Sequence, residues 1–467
     1  MKTKQKVGLI LAVIILIGTL FIPTSAEGLT VAGRNNLGLL LSVMVILITG
    51  ALPNVTMCLV AIPLMFLMGV TNSMGGALNG FSNQTVFFIL TSFGITTAMA
   101  KTNASKRLMV WLIRMFGSSG RMVLFAIMAA VALVSSICGN LVVVVAFVPL
   151  ALDFINIYPT GEERHQTGKA FMIGIPVASM IGGILTPAGQ AINAMLMGSL
   201  EEMVGIRITF VTWTAACAPI AIVATVLSFF IIAKINPPAP ITKEQVSAYV
   251  ERSGLSKTMS SEEKRLALII TVMFVCWIAG SWISKFNMVA VAMLGVVVMM
   301  LPKIGVMEPK DFMSSVNWNL FLTIGTLMGL TSLLKTNGVI KWVASVLPLS
   351  GLEVSPMLFT LILCLLCFLM LIVFPVGPAL VMALLGPVVA IGVSVGINPA
   401  MLMVAVCICC CNCFLLPVDA IPLYCYNYGY FTSGELTKTT IWIQVVLAII
   451  TAVWLPIAAN LLFPYVM

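Results

Sequence analysis

Long apolar runs, broken by short polar breaks, organise this chain. One helical span needs roughly 20 apolar residues. On that basis spans are predicted near 8–25, 36–51, 55–71, 85–100, 170–200, 210–233, 266–284, 287–302, 318–334, 399–430 and 440–463. Two further apolar segments, 122–157 and 355–394, carry a glycine-containing break in the middle. Each is too long for one straight span and leaves almost no polar loop for two. Both are predicted to be re-entrant hairpins, which enter and leave on the same side. Such backbone survives at membrane depth only when buried in protein or lining a cavity. The spans predicted at 170–200 and 399–430 carry Pro/Gly-broken middles, GGILTPAGQAIN (182–193) and NCFLLPVDAIPL (412–423).

These patterns repeat. SNQTVFFILTSFGITTAMAKTN (82–103) is similar to VNWNLFLTIGTLMGLTSLLKTN (316–337), with Asn83 against Asn317. CGNLVVVVAFVP (138–149) is similar to VGPALVMALLGP (376–387), with Gly139 against Gly377 and Pro149 against Pro387. In the broken spans Pro187 falls against Pro417, and Gly189 against Asp419. The expected organisation is an N-terminal span and outer loop (1–33), a first repeat (34–234), a cytoplasmic linker (235–265) and a second repeat (266–467). The two copies would cross in opposite senses, as in many secondary transporters.

Composition narrows the class. The 467 residues are 61% hydrophobic and 8% charged, against about 25% charge in soluble domains. The fold class expected is an all-α polytopic membrane protein, with about eleven spans, two hairpins and two broken helices. A β-barrel is excluded, because its strands alternate polar and apolar residues.

The net charge of +9 reflects Lys and Arg beside membrane ends and does not point to a nucleic-acid partner. With the N-terminus cytoplasmic and the C-terminus outside, all but Arg34, Arg207, Lys285, Lys335 and Lys341 of the 24 Lys and Arg fall inside. The first residues also allow a signal-peptide reading, with Lys2, Lys4 and Lys6 before an apolar run and Thr24-Ser25-Ala26 as cleavage site. A retained span is preferred, because the charge tally works with it. KTNASKRLMVWLIRMFG (101–117) is basic and amphipathic and is expected on the inner membrane surface.

The candidate chemistry lies at the hairpin tips and the breaks. A broken span frees backbone groups: half-helix N-termini attract anions, while C-termini and unwound carbonyls take cations. For substrate the candidates are Gly139, Asn140 and Leu141 at the first tip, Gly377, Pro378 and Ala379 at the second, and Gln190, Asn193 and Ala420 at the breaks. For Na⁺ or H⁺ coupling they are Ser136, Asn140, Thr186, Gly189, Asn412 and Asp419. Asp419 is the one carboxylate placed at mid-membrane, where its insertion costs roughly 2.5–3.5 kcal/mol. It reads as a cation ligand or proton acceptor, or as a helix cap. Ser135 is a weaker candidate. Asp153 and Glu435 fall at the cytoplasmic boundary, and His165 in a surface loop.

The run CICCCNC (407–413) points in several directions at helical spacing and cannot converge on one metal. Its cysteines read as small packing residues, with a soft-metal or arsenite role as the alternative. No nucleophile–base pair or metal set suggests an enzyme, and no cofactor is expected beyond the coupling ion.

At these residues the chain resembles the divalent anion:sodium symporter family, over nearly its whole length. GIPVASMIGGILTPAGQAIN (174–193) is similar to the family's SIGGxxTxxGTPPN, and FLLPVDAIP (414–422) to its FMLPVATPP. The resemblance implies a homodimer in the cytoplasmic (inner) membrane, with one site per protomer. It also implies elevator-like alternating access and di- or tricarboxylate or sulfate transport, usually with sodium. The family reads Ser-Asn-Thr at each tip, whereas this chain has Gly139-Asn140-Leu141 and Gly377-Pro378-Ala379. The lost hydroxyls leave open a neutral or zwitterionic solute or a metalloid oxyanion as cargo; a channel or non-transporting sensor is the rival of another class, favoured by an absent Na⁺ or H⁺ dependence.

Overall fold

A computed structural model describes residues 3–24, 29–159, 161–255, 258–346, 355–373 and 376–464. Lys2, the Ser25-Ala26 part of the suggested cleavage site and residues 374–375 at the second hairpin tip lie outside them. Among the described residues every regular element is helical. Each predicted span coincides with a helix or a broken pair of helices. By length and composition alone, Val31–Thr49, Phe210–Ile235, Gly377–Ser394 and Ser433–Leu462 could each cross a membrane.

The order of elements recurs. After an extra first helix, Thr3–Thr19, come Val31–Thr49, Asn54–Leu67, a short Met74–Leu78, Gln84–Lys101, Ala104–Phe116, the hairpin arms Gly120–Ser135 and Asn140–Ile155, the broken pair Glu162–Gly182 and Ala191–Val204, and Phe210–Ile235. The second series is Ser261–Ala279, Met288–Met300, Pro309–Ser315, Trp318–Thr336, Val339–Val346, the arms Pro356–Val373 and Gly377–Ser394, the broken pair Pro399–Cys410 and Ala420–Tyr426, and Ser433–Leu462.

Local chemistry explains several of these boundaries. The matched Asn83 and Asn317 both cap helices, accepting from Thr85 N (2.8 Å) and Leu320 N (3.1 Å). Phe210–Ile235 and Ser433–Leu462 both begin with capping boxes, Thr209 with Thr212 and Thr432 with Glu435. Val31–Thr49 stops at Gly50, whose φ of 61° is the left-handed conformation glycine tolerates.

The two series interlock. Gln84–Lys101 packs on Met288–Met300, and Trp318–Thr336 packs on Asn54–Leu67. The close approach is made by small residues: a Cβ on Gly80 would lie 2.1 Å from the Gly325 carbonyl oxygen. The two last helices of each series lie against one another, with Trp454 Nε1 donating to Ala216 O at 2.9 Å. Hydroxyls inside these helices bond back to their own backbone, as Thr326 does to Leu322 O and Thr331 to Leu327 O.

The first hairpin's arms have 16 residues each, about 24 Å, which is short of the roughly 30 Å hydrocarbon core. The second hairpin's arms reach 18 residues. The turn of the first comprises 136–139, so Asn140 is already the first residue of an arm. Gly377, Pro378 and Ala379 likewise open an arm. The stretch read as a linker is docked to the protein. It holds the helix Lys243–Arg252, buries Val246, Tyr249 and Val250, and lends Ala239 O to the Tyr158 hydroxyl at 3.1 Å.

Candidate functional site

The first break runs from Gly183 to Gln190, between Glu162–Gly182 and Ala191–Val204. Pro187, which has no N–H, and two glycines keep it from continuing as helix. Asn193 rivets it. Its Nδ2 donates to Gly183 O at 2.8 Å and Thr186 O at 2.9 Å. Thr186 ties the break to the hairpin tip by donating its hydroxyl to Ser136 O, and it accepts from Ala188 N at 3.1 Å. Gln190 Nε2 donates to Met180 O at 3.2 Å.

Carbonyl oxygens gather here. A Cβ on Gly189 would lie 2.4 Å from Gly183 O and 2.8 Å from Ser135 O, so only glycine lets the backbone close this tightly. The carbonyls of Ser135, Ser136, Gly183 and Thr186 thus line one small region. Three of them already accept hydrogen bonds, Gly183 O and Thr186 O from Asn193 and Ser136 O from Thr186.

Asn140 stands beside it. Its residue is 5% exposed, yet neither Oδ1 nor Nδ2 has a hydrogen-bond partner within the chain. Leaving such a buried group unpaired costs about 1–3 kcal/mol. A Cβ on Gly183 would fall 2.4 Å from Asn140 Oδ1 and 2.6 Å from Gln190 Nε2, which places all three residues together. The backbone of Asn140 is held: its carbonyl accepts from Ser179 Oγ at 3.1 Å, and Ser179 meets Ser135 Oγ at 2.8 Å. Gly139 N donates to Thr96 Oγ1 at 3.3 Å. The arm Asn140–Ile155 therefore presents its N-terminus and a free amide towards the carbonyl cluster.

The second break, Cys411 to Asp419, joins from the other series. A Cβ on Gly377 would lie 2.4 Å from Cys410 O and 3.8 Å from Ile192, so the second hairpin arm starts against both breaks. Cys407 and Cys411 point their thiols at Asn193 Oδ1 (3.7 and 3.6 Å). Asn412 is fully buried; its Nδ2 donates to Ile408 O at 2.7 Å, its Oδ1 is unpaired, and its backbone carbonyl accepts from Gln444 Nε2 at 3.3 Å. The short helix after each break crosses over: Ala191–Val204 packs on Pro399–Cys410, and Ala420–Tyr426 packs on Glu162–Gly182.

The candidates divide accordingly. Ser136, Gly139, Asn140, Thr186, Gly189, Gln190 and Asn193 come together at the first break. Gly377 touches the junction between the breaks, and Ala379 is buried beside it in the same arm. Asp419 caps Ala420–Tyr426, accepting from Ile421 N at 2.9 Å. Ala420 is exposed and Leu141 is 42% exposed, so their side chains face away from the buried cluster. Ser136 Oγ bonds back to Leu133 O, which leaves its carbonyl as its contribution. Glu435 forms an ion pair with Lys169, and His165 stacks on Tyr430 at 6.0 Å.

Sequence reasoning did not single out Gly183, Ser179 or Thr96, and it read Cys407 and Cys411 as packing residues without their contact to Asn193. The Gly182-Gly183 doublet and the four-residue spacing of the two cysteines were the available signals. The described cysteines are free thiols, and no group of three or more His, Cys, Asp or Glu among the described residues is arranged to hold a metal.

The profile of the sodium:sulfate symporter transmembrane region matches residues 3–463. The chain belongs to that family. It is therefore a multi-pass membrane transporter and not an enzyme. A membrane protein of Cupriavidus necator is 28% identical over 350 residues, covering 71% of this chain and 67% of its own length. An L-tartrate/succinate antiporter of Shigella flexneri is 25% identical over 305 residues, and one of Escherichia coli K12 is 24% identical over the same length. The matched part spans 62% of this chain and about three fifths, 61%, of those antiporters. Among solved structures, MtrF of Neisseria gonorrhoeae, of a class of antimetabolite efflux pumps, aligns with a TM-score of 0.62 at 11% identity over 98% of this chain and 95% of its own. The YdaH transporter of Alcanivorax borkumensis aligns at 0.53 and 12% identity over 83% of this chain and 88% of its own. At these identities the two structures speak for the fold alone.

Proposed function

We propose that this family member is a secondary active transporter that couples a small dicarboxylate-type anion to Na⁺ or H⁺. The single observation that carries the reading is the unpaired, buried Asn140 amide at a hairpin-arm N-terminus, directly beside the carbonyl cluster of the first break. A carboxylate would accept from Asn140 Nδ2 and the backbone amides of that arm and of the Gly377 arm. A cation would sit among the carbonyls of Ser135, Ser136, Gly183 and Thr186. Asp419 would supply a second cation or proton site, so that cation binding precedes anion binding. The relatives named for L-tartrate and succinate support four-carbon dicarboxylates as the substrate class.

The recurring element order supports two inverted repeats joined by the 235–265 segment. The family resemblance supports a homodimer in the cytoplasmic membrane, with the hairpins and breaks moving together as an elevator and the N-terminus inside. No Lys or Arg lies within 136–141, 183–193, 376–379 or 411–420. That absence favours a second reading, in which the cargo is neutral or zwitterionic.

Uptake into proteoliposomes of labelled succinate, citrate, sulfate and neutral amino acids, under imposed Na⁺ or pH gradients, decides between them. Sodium- or proton-driven succinate uptake is expected. Uptake of amino acids with none of the anions would replace the first reading by the second, and gradient-independent flux would point to a channel.

A further inference from the structure

The amphipathic helix Ala104–Phe116 turns away from Gln84–Lys101 by 61°, so an upright, membrane-spanning Gln84–Lys101 leaves it running more along the membrane surface than through it. Its sequence, ASKRLMVWLIRMF, holds three basic residues and no acid. Trp111 and Met115 are 53% and 54% exposed, which suits a side chain lying at headgroup level. The docked linker helix Lys243–Arg252 and the residues after it rise beside this helix and close a groove. Its walls are Leu108, Trp111, Leu255 and Met259, with Arg107 and Arg114 along one edge.

The two arginines are seven residues apart, hence on one face and about 10 Å apart along the axis. They differ in what holds them. Arg107 is bound to Glu263, at 2.9 Å from its Nη2, and to Thr258 O. Arg114 is exposed and has no ion-pair partner among the described residues. The groove thus offers an apolar trough, an indole and one uncommitted guanidinium at a membrane surface.

We propose that this groove binds an anionic phospholipid. Arg114 takes the phosphate, Trp111 lies at the glycerol level, and an acyl chain follows Leu108, Leu255 and Met259. Charge complementarity selects this occupant, because the helix brings only positive charge to a surface where anionic headgroups concentrate. The groove shares no residue with the hairpin tips or breaks, and one wall comes from the linker, so lipid occupancy ties the linker to the first series.

The test is native mass spectrometry of the full chain in neutral detergent, titrated with dioleoylphosphatidylglycerol or dioleoylphosphatidylcholine. Phosphatidylglycerol is expected to bind about fivefold more tightly, the effect of one basic residue near the surface. Arg114→Gln should abolish that preference, while Arg121→Gln, outside the groove, should keep it. Trp111→Ala should weaken both lipids and serves if Arg114→Gln cannot be purified. Equal binding of the two lipids, an unchanged preference in Arg114→Gln or unchanged binding in Trp111→Ala would overturn the proposal. So would displacement of the lipid by equimolar sn-glycerol phosphate, which would mark a soluble anion, or by an acidic peptide.

Discussion

The two breaks occupy corresponding places in the two series, yet different groups hold them. The first is tied by its own side chains and by one just beyond it: Asn193 bridges Gly183 and Thr186, Thr186 reaches the hairpin tip, and Gln190 reaches back to Met180. The second is held from the last helix, where Gln444 donates to Asn412 O and Thr437 to Leu415 O, while Asn412 Oδ1 is unpaired and Asp419 accepts one bond from its own helix. Where the first series has Gly189 against clustered carbonyls, the second has a carboxylate. Neutral backbone dipoles hold their geometry without added charge, whereas a carboxylate needs a cation or proton when the site is dry. On the proposed function, the first break would supply neutral cation ligands and Asp419 the charge-dependent step.

The sharpest way to break that assignment is Gly183→Ala. Its Cβ would overlap Asn140 Oδ1 and Gln190 Nε2, and displacing the amide by about 1 Å is expected to cost on the order of 10²-fold in uptake. The folded protein should survive, since the atoms struck belong to the side chains of Asn140 and Gln190 and not to backbone. Near-normal uptake by a purified, monodisperse Gly183→Ala protein would mean that Asn140 does not meet the substrate.

Asp419→Asn comes next. The cap survives, because an amide oxygen still accepts from Ile421 N, but the charge is gone. Uptake should fall about tenfold or more, or lose its dependence on the cation gradient, with expression unchanged. Full gradient-coupled uptake by this variant would reduce Asp419 to a helix cap and remove the proposed asymmetry between the halves.

Stability should separate the two asparagines. Asn193→Ala strips donors from two buried carbonyls and the acceptor from two thiols. Asn412→Ala removes one bond to Ile408 O and an unpaired oxygen. Losses of about 2 kcal/mol and at most about 1 kcal/mol are expected, and thermal melting in detergent would rank them. Equal losses would mean that the second break is as firmly held as the first.

Much of this architecture was legible in the sequence because it rests on local rules. Asn83 and Asn317 cap their helices whatever surrounds them, and the prolines at 187 and 417 interrupt helices through their missing N–H. Paired helices therefore fall where the pattern put the hairpins and breaks, with Asn140, Leu141, Gly377, Pro378 and Ala379 in helical arms and not in tips. What the sequence hid depends on contacts far apart in the chain. Cys407 and Cys411 read as packing residues, and they are buried. Their bonds to Asn193 form because the short helix after the first break crosses onto the other series, which no local pattern announces. The linker's polarity suggested solvent, but Val246, Tyr249 and Val250 form a buried face within it.

The smallest expected effect concerns the repeated Lys-Thr-Asn. Lys101 pairs with Asp311 of the second series, whereas its counterpart Lys335 is exposed without an ion-pair partner among the described residues. The Lys101 ammonium, helped by the backbone N–H of Glu308, holds the Asp311 carboxyl below its ordinary range. A depressed carboxylate stabilises the fold above its unfolded pKa and loses that contribution as pH falls through the folded value. The advantage of the native protein over Asp311→Asn in thermal melting should therefore be steady near neutrality and vanish below the ordinary carboxylate range. Lys335→Gln should melt like the native protein at every pH. A pH-dependent loss in Lys335→Gln would show that the second copy also ties the halves together, which would erase this difference between them.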